Sequence, residues 1–126
     1  MTRFCIIFTL ILVVSDIGSS TLEKRWRFDH LTVDDGLANP FINIMMQDHL
    51  GFIWMGTPQG LVRYDGYDCI IFRPETNDDY SIEGINISSV REDKHGDLWI
   101  STKDGGLNRF DRQANRFHNF QHDVND

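Results

Sequence analysis

Two tryptophans, two arginines and several aspartates stand at matching places along this chain, and they are the side chains with chemistry to offer. Trp54 and Trp99 have flat aromatic faces of the kind that stack on sugar rings. Arg63 and Arg109 each lie two residues before an aspartate, Asp65 or Asp111, and a guanidinium fork so placed can hold an acidic sugar or another anion. Both pairs also have a structural use. A tryptophan in mid-strand packs between blades, and an arginine and aspartate recurring in register suit an intra-blade salt bridge or a turn contact, so these structural readings are preferred.

The remaining polar residues point away from catalysis. Asp48, Asp93 and Asp97 follow no calcium-loop spacing, and Asn77-Asp78-Asp79 lacks the glycine and closing glutamate of such a loop, so turn capping is expected. His118 and His122 fall four apart on an expected strand without a third ligand, so no metal site is assigned. Cys69 has no base or cationic pair beside it in sequence and reads as a packed thiol. No Ser-His-Asp set or paired carboxylates can be assembled. The expectation is therefore no catalytic residue, no metal and no cofactor.

The elements that position these residues are two copies of one unit. Residues 43–65 align with residues 88–111 at Asp48/Asp93, Gly51/Gly96, Trp54/Trp99, Thr57/Thr102, Gly60/Gly105, Leu61/Leu107, Arg63/Arg109 and Asp65/Asp111, with Gly106 inserted in the second copy. The spacing, 45 residues up to the insertion and 46 after it, belongs to arrays whose units must stack to bury their faces. Within each copy, Asp48-His49-Leu50-Gly51 and Asp93-Lys94-His95-Gly96 put aspartate first and glycine last in a four-residue turn. Strands are expected at 42–47, 52–57, 61–64 and 69–72, then at 89–92, 98–102, 107–110 and 116–120. Four short strands in one such period make a propeller blade. Runs such as Phe52-Ile53-Trp54-Met55 are apolar on both faces, as a sheet between two neighbours must be.

Composition agrees. Ten glycines and few alanines in 126 residues suit sheet and turn, while 40% hydrophobic and 12% aromatic content is far from that of a disordered chain. Lys+Arg 12 against Asp+Glu 19 gives a net charge of −7, which excludes a broad cationic surface for nucleic acid. Arg3, the largely apolar run 4–14 and Ile17-Gly18-Ser19-Ser20 read as a secretory signal helix cleaved near Ser20. Eleven residues reach about 16 Å as a helix, short of the roughly 30 Å of a membrane core. Only Cys69 is left after cleavage, so the fold must stand without an internal disulfide.

Phe-x-x-Leu-Thr-x-x-Asp-Gly-Leu (Phe28 to Leu37), Gln-Asp-x-x-Gly-Phe-Ile-Trp-x-Gly-Thr (Gln47 to Thr57), Gly-Leu-x-Arg-Tyr-Asp-Gly (Gly60 to Gly66), Gly-Asp-Leu-Trp-Ile (Gly96 to Ile100) and Gly-Gly-Leu-Asn-Arg-Phe-Asp (Gly105 to Asp111) resemble the two-component regulator propeller repeats. The resemblance covers residues 26–126. It departs at Ser101, where a glycine is usual, and at Cys69, where a larger apolar residue is usual. It implies an all-β fold of about two four-stranded antiparallel blades from an incomplete propeller, after the signal helix. The expected divisions are residues 1–20, signal peptide; 21–40, an N-terminal strand and connector; 41–80, the first blade; 81–122, the second; and 123–126, the start of a further repeat.

The family's sensors place such propellers in the periplasm, ahead of a membrane span, a kinase and further regulatory domains. The resemblance therefore implies the amino-terminal piece of an inner-membrane-anchored sensor, a truncated frame or a fragment, with no enzymatic activity of its own. It also implies an oligosaccharide ligand, the remaining blades as partners, a homodimer in the parent protein and no nucleic acid. The alternative class is the extracellular propeller of a carbohydrate-acting or lyase-type enzyme, which needs polar residues around a closed channel. The leader makes a direct prediction: an export assay should recover a secreted product whose first residue lies near Thr21, and full-length chain held in the membrane would refute it.

Overall fold

The computed structural model of the chain describes residues 27–121. The signal helix and the start of a third repeat, expected at 1–20 and 123–126, lie outside them. Eight strands form two separate four-stranded antiparallel sheets in sequential order. The first sheet, blade 1, contains β1 (Ile44–Gln47), β2 (Ile53–Thr57), β3 (Gly60–Tyr64) and β4 (Cys69–Phe72). Blade 2 contains β5 (Ile87–Glu92), β6 (Leu98–Thr102), β7 (Gly106–Asp111) and β8 (Arg116–Phe120).

The copies superpose in register apart from a bulge between Ile87 and Ser89 in β5, which β1 lacks, and one inserted residue in a turn. Thr57 pairs with Gly60 across the β2–β3 turn, while Thr102 pairs with Gly106 across the β6–β7 turn. The structural counterpart of Gly60 is therefore Gly106, and Gly105 is the inserted residue, a correction to the sequence pairing of Gly60 with Gly105. The reason is visible at Gly105. The segment joining the blades passes so close that a Cβ there would lie 2.4 Å from the Glu83 carbonyl carbon. Buried Asn108 pins the same segment, its Oδ1 accepting from Glu83 N at 2.9 Å and its Nδ2 donating to Glu83 O at 3.0 Å.

The main core lies between the two sheets. One face of blade 1 contributes Trp54, Leu61, Phe72, Ile44 and Met46; the facing side of blade 2 contributes Ile87, Val90, Leu98, Ile100, Phe110 and Phe117. Trp54 stacks on Phe72 at 5.8 Å between centroids, and Phe110 and Phe117 tilt against that pair at 5.4 to 5.7 Å. β5 runs against both β1 and β2, so the first strands of the blades are neighbours. Gly56 allows that approach: a Cβ there would lie 2.6 Å from the Cγ2 atoms of both Ile44 and Ile87.

Blade 1's other face carries Met55 and Val62 and is covered by Leu37 and Ala38. Residues 27–40 form no strand; the rest of the segment expected to hold an N-terminal strand and connector, residues 21–26, lies outside the described residues. Val33–Asp35 make a 3-10 turn in which the Asp35 carboxylate accepts from Thr32 N and Thr32 Oγ1, both at 2.8 Å, and the chain then turns back at Gly36 onto the sheet. Blade 2's outer face has no such cover among the described residues: Leu107 and Phe120 are 39% and 46% exposed. Phe110 sits at the centre of the aromatic cluster, and its replacement by alanine should cost about 3–5 kcal/mol in a denaturant melt.

Candidate functional site

The same small device occurs on the rim of each blade. Asp48 ends β1 and turns its carboxylate back over the turn, where Oδ1 accepts from Leu50 N (3.0 Å) and Phe52 N (2.9 Å) and Oδ2 accepts from Trp54 Nε1 (2.7 Å). Asp93 does the same with His95 N (2.8 Å), Asp97 N (3.0 Å) and Trp99 Nε1 (2.9 Å). Asp48 and Asp93 thus cap their turns, each also anchoring the tryptophan six residues on, whereas the Asp97 carboxylate, expected to cap as well, lies instead near Arg109. Gly51 and Gly96 close these turns through their N–H groups on the carbonyls of Asp48 and Asp93.

Between the blades the first device gains a cation. Arg112, on the turn after β7, donates from Nη2 to Asp48 Oδ2 at 2.8 Å and to Glu92 Oε1 at 3.2 Å, while its Nε is bonded to the Gly96 carbonyl. Glu92 also accepts from His49 N at 3.0 Å and is paired with the His49 ring. The Asp48 side chain is fully buried and that of Arg112 is 16% exposed. Burial pushes the Asp48 carboxyl upward, but the hydrogen bonds from Trp54, Arg112 and Phe52 and the Arg112 charge outweigh it and hold the group below its ordinary value. The Trp99 bond is the largest cause of the lowered Asp93 value. Beside this cluster is an open cleft of about 330 Å³ lined by residues that include His49, His95, Asp97, Asp111, Arg112 and Gln113.

The candidate binding residues are not brought together in one site. Trp54 is fully buried between the sheets, out of reach of any ligand, whereas Trp99 is part-exposed on the open face and stacks on Phe120 at 5.7 Å. The Arg63 guanidinium lies over the Phe52 ring at 5.0 Å, and Arg109 Nε stands 3.9 Å from Asp97 Oδ2. Neither arginine bonds the aspartate two residues on. Asp65 caps its own turn through Tyr67 N and Asp68 N, both at 2.8 Å, and Asp111 does so through Gln113 N (2.9 Å) and Ala114 N (3.0 Å). Thr57 and Thr102 tie the second turns: Thr57 Oγ1 donates to Gly60 O at 2.8 Å, and Thr102 Oγ1 accepts from Gly105 N at 2.9 Å.

Cys69 is a half-buried free thiol, its pKa raised by burial and by the charges of Asp35, Asp65 and Asp68, which leaves it a poor nucleophile. Among the described residues no three His, Cys, Asp or Glu side chains cluster as metal ligands. His122 lies outside them. Sequence reasoning missed Arg112, Glu92 and His49 as one cluster, because Arg112 has no counterpart in blade 1, where Gly66 follows Asp65.

What the geometry offers is a repeated packing and capping unit with one open flank, and comparison with known proteins agrees. The family model of the two component regulator propeller matches residues 81–104. The matched stretch takes in β5 and β6, the first two strands of blade 2, with the segments on either side of them. Among solved structures, the extracellular domain assigned to the hybrid two component system BT3049 of B. thetaiotaomicron is 29% identical over 78% of this chain, with a TM-score of 0.71. That assigned to the one component system BT4673 of the same organism is 25% identical over 75% of the chain, with a TM-score of 0.56. The chain spans 14% of the length of each of those domains. No curated protein matches the sequence.

The buried Asp48 carboxylate makes two predictions. Asp48→Asn leaves Arg112 with a weaker acceptor in a closed site and should cost about 3 kcal/mol at neutral pH, with Asp93→Asn on the open rim costing less. Because both folded pKa values are lowered, the stability these groups contribute is complete above the ordinary carboxylate range near pH 4 and is lost as pH falls through the folded values. Chemical denaturation at stepped pH should therefore show Asp48→Asn losing less stability below pH 4 than the parent chain.

Proposed function

We propose that this chain is the amino-terminal part of a periplasmic sensing propeller of a hybrid two-component system. Other blades complete the array, and the chain has no kinase activity of its own. The observation that carries this reading is the 29% identity, over most of the chain, to the extracellular domain assigned to such a system, together with the match of residues 81–104 to the propeller-repeat family model. The blade-on-blade core gives it a physical basis. A sheet sealed on one side and open on the other is a unit of an array, and arrays of this kind present extended recognition surfaces at their rims.

The ligand class we assign is an oligosaccharide. It would meet the assembled rim, where the cleft beside His49, His95 and Arg112 offers donors and acceptors suited to hydroxyl groups. Trp99 is kept for packing, since its indole N–H is already committed to Asp93. Signalling requires that ligand favour one arrangement of a dimeric sensor over another.

The test is made in the intact sensor that contains this chain. Its host is grown on a panel of purified glycans while transcription of the sensor's regulated genes is followed. One glycan should raise transcription at least tenfold, and deleting residues 81–121 should abolish that response. A response that survives the deletion, or is triggered by no glycan in the panel, would refute the assignment.

A further inference from the structure

The face of blade 1 that packs on blade 2 has an equivalent on blade 2 itself, yet only the first is occupied among the described residues, and its occupant shows what the second requires. On blade 1, Trp54, Leu61 and Phe72 are covered by blade 2. On blade 2 the register places Trp99, Leu107 and Phe120 at the same three positions, and the Trp–Phe stack is repeated at 5.7 Å. At the rim, Asp48 has four donors, the fourth being Arg112 from the neighbouring blade. Asp93 has three, and its Oδ2 bonds only Trp99 among the described residues. Beside Asp48, His49 meets the neighbour's Glu92; beside Asp93 the same position is Lys94, a full cation.

One position differs in size. Gly56 lets Ile87 of blade 2 seat on blade 1, and its counterpart on blade 2 is Ser101. Ser101 Oγ is 2.6 Å from Ser89 Oγ and 3.1 Å from Ser88 Oγ, so an apolar seat on blade 1 becomes a hydroxyl cluster on blade 2. An isoleucine approaching as Ile87 does would meet the Ser101 Cβ at the clashing distance found for Gly56.

We propose that the open face of blade 2 takes one further four-stranded sheet of this repeat, selected by an arginine on its outer turn for Asp93, a carboxylate for Lys94 and a residue smaller than isoleucine over Ser101. A second copy of this chain does not qualify. Its blade 1 has Gly66 after the third strand in place of an arginine, and the face it would bring is covered by Leu37 and Ala38. The inference rests on the chain being part of a larger array. It concerns packing rather than ligand, so its test and the glycan test fail separately.

The experiment extends the full chain at its C-terminus with a second copy of residues 81–121 carrying Ile87→Ala, and follows exchange of the Trp99 indole N–H by NMR. Exchange should slow at least tenfold relative to the unextended chain, and less if the appended copy keeps Ile87. Arg112→Ala in the appended copy should remove most of the protection. Lys94→Glu in blade 2, which would face the appended copy's Glu92, should weaken protection. Unchanged Trp99 exchange, an appended sheet that stays unfolded, or protection indifferent to Lys94→Glu would each overturn the proposal.

Discussion

An indole N–H that leaves water must find an acceptor, and that requirement at Trp54 organises everything around it. The ring fills the space between two sheets, so the N–H is met by Asp48. A carboxylate buried there must in turn be met by a cation, which Arg112 brings from the next blade. Arg112 is steadied by the Gly96 carbonyl and Glu92, and Glu92 takes up His49. Each partner is obliged by the one before it. Hydrophobic stacking of blades and polar order on the rim are thus one interaction seen from two sides.

That chain of obligation explains what the sequence disclosed and what it concealed. Strands and turns were legible because they occur twice: β4, β6 and β8 lie where alternation and turn residues put them, and the others differ at their ends by a residue or two. The aspartate caps were legible from Asp-to-Gly spacing. Arg112 was not, since it occurs once and its partner lies 64 positions away in another sheet. Arg63 and Arg109 recur and so drew attention, yet they bond no neighbouring aspartate, because Asp65 and Asp111 are already committed to backbone N–H groups. The 3-10 turn at Val33–Asp35 escaped notice because a single short turn has no period to reveal it.

Identical residues in the two copies do not share one environment. Trp54 and Trp99 hold the same place in the repeat and each donates to its own turn aspartate, yet Trp54 is covered by a further sheet and Trp99 is not among the described residues. Burial here is a property of position in the array, not of the repeat. At Gly56 and Ser101 the residue itself changes: Gly56 leaves room for Ile87, whereas the Ser101 hydroxyl bonds Ser88 and Ser89.

Polar contacts cross between the blades at both ends of β1. Before the strand, Asn43 Nδ2 donates to the Ile87 carbonyl at 2.8 Å; after it, Asp48 receives Arg112. A pair of sheets fastened at both ends of a shared border resists sliding, much as two rivets prevent shear that one would allow. Mechanical information passing through this part of the molecule would therefore travel as displacement of the two-sheet block as a whole, with any slip taken up at borders held by a single fastening.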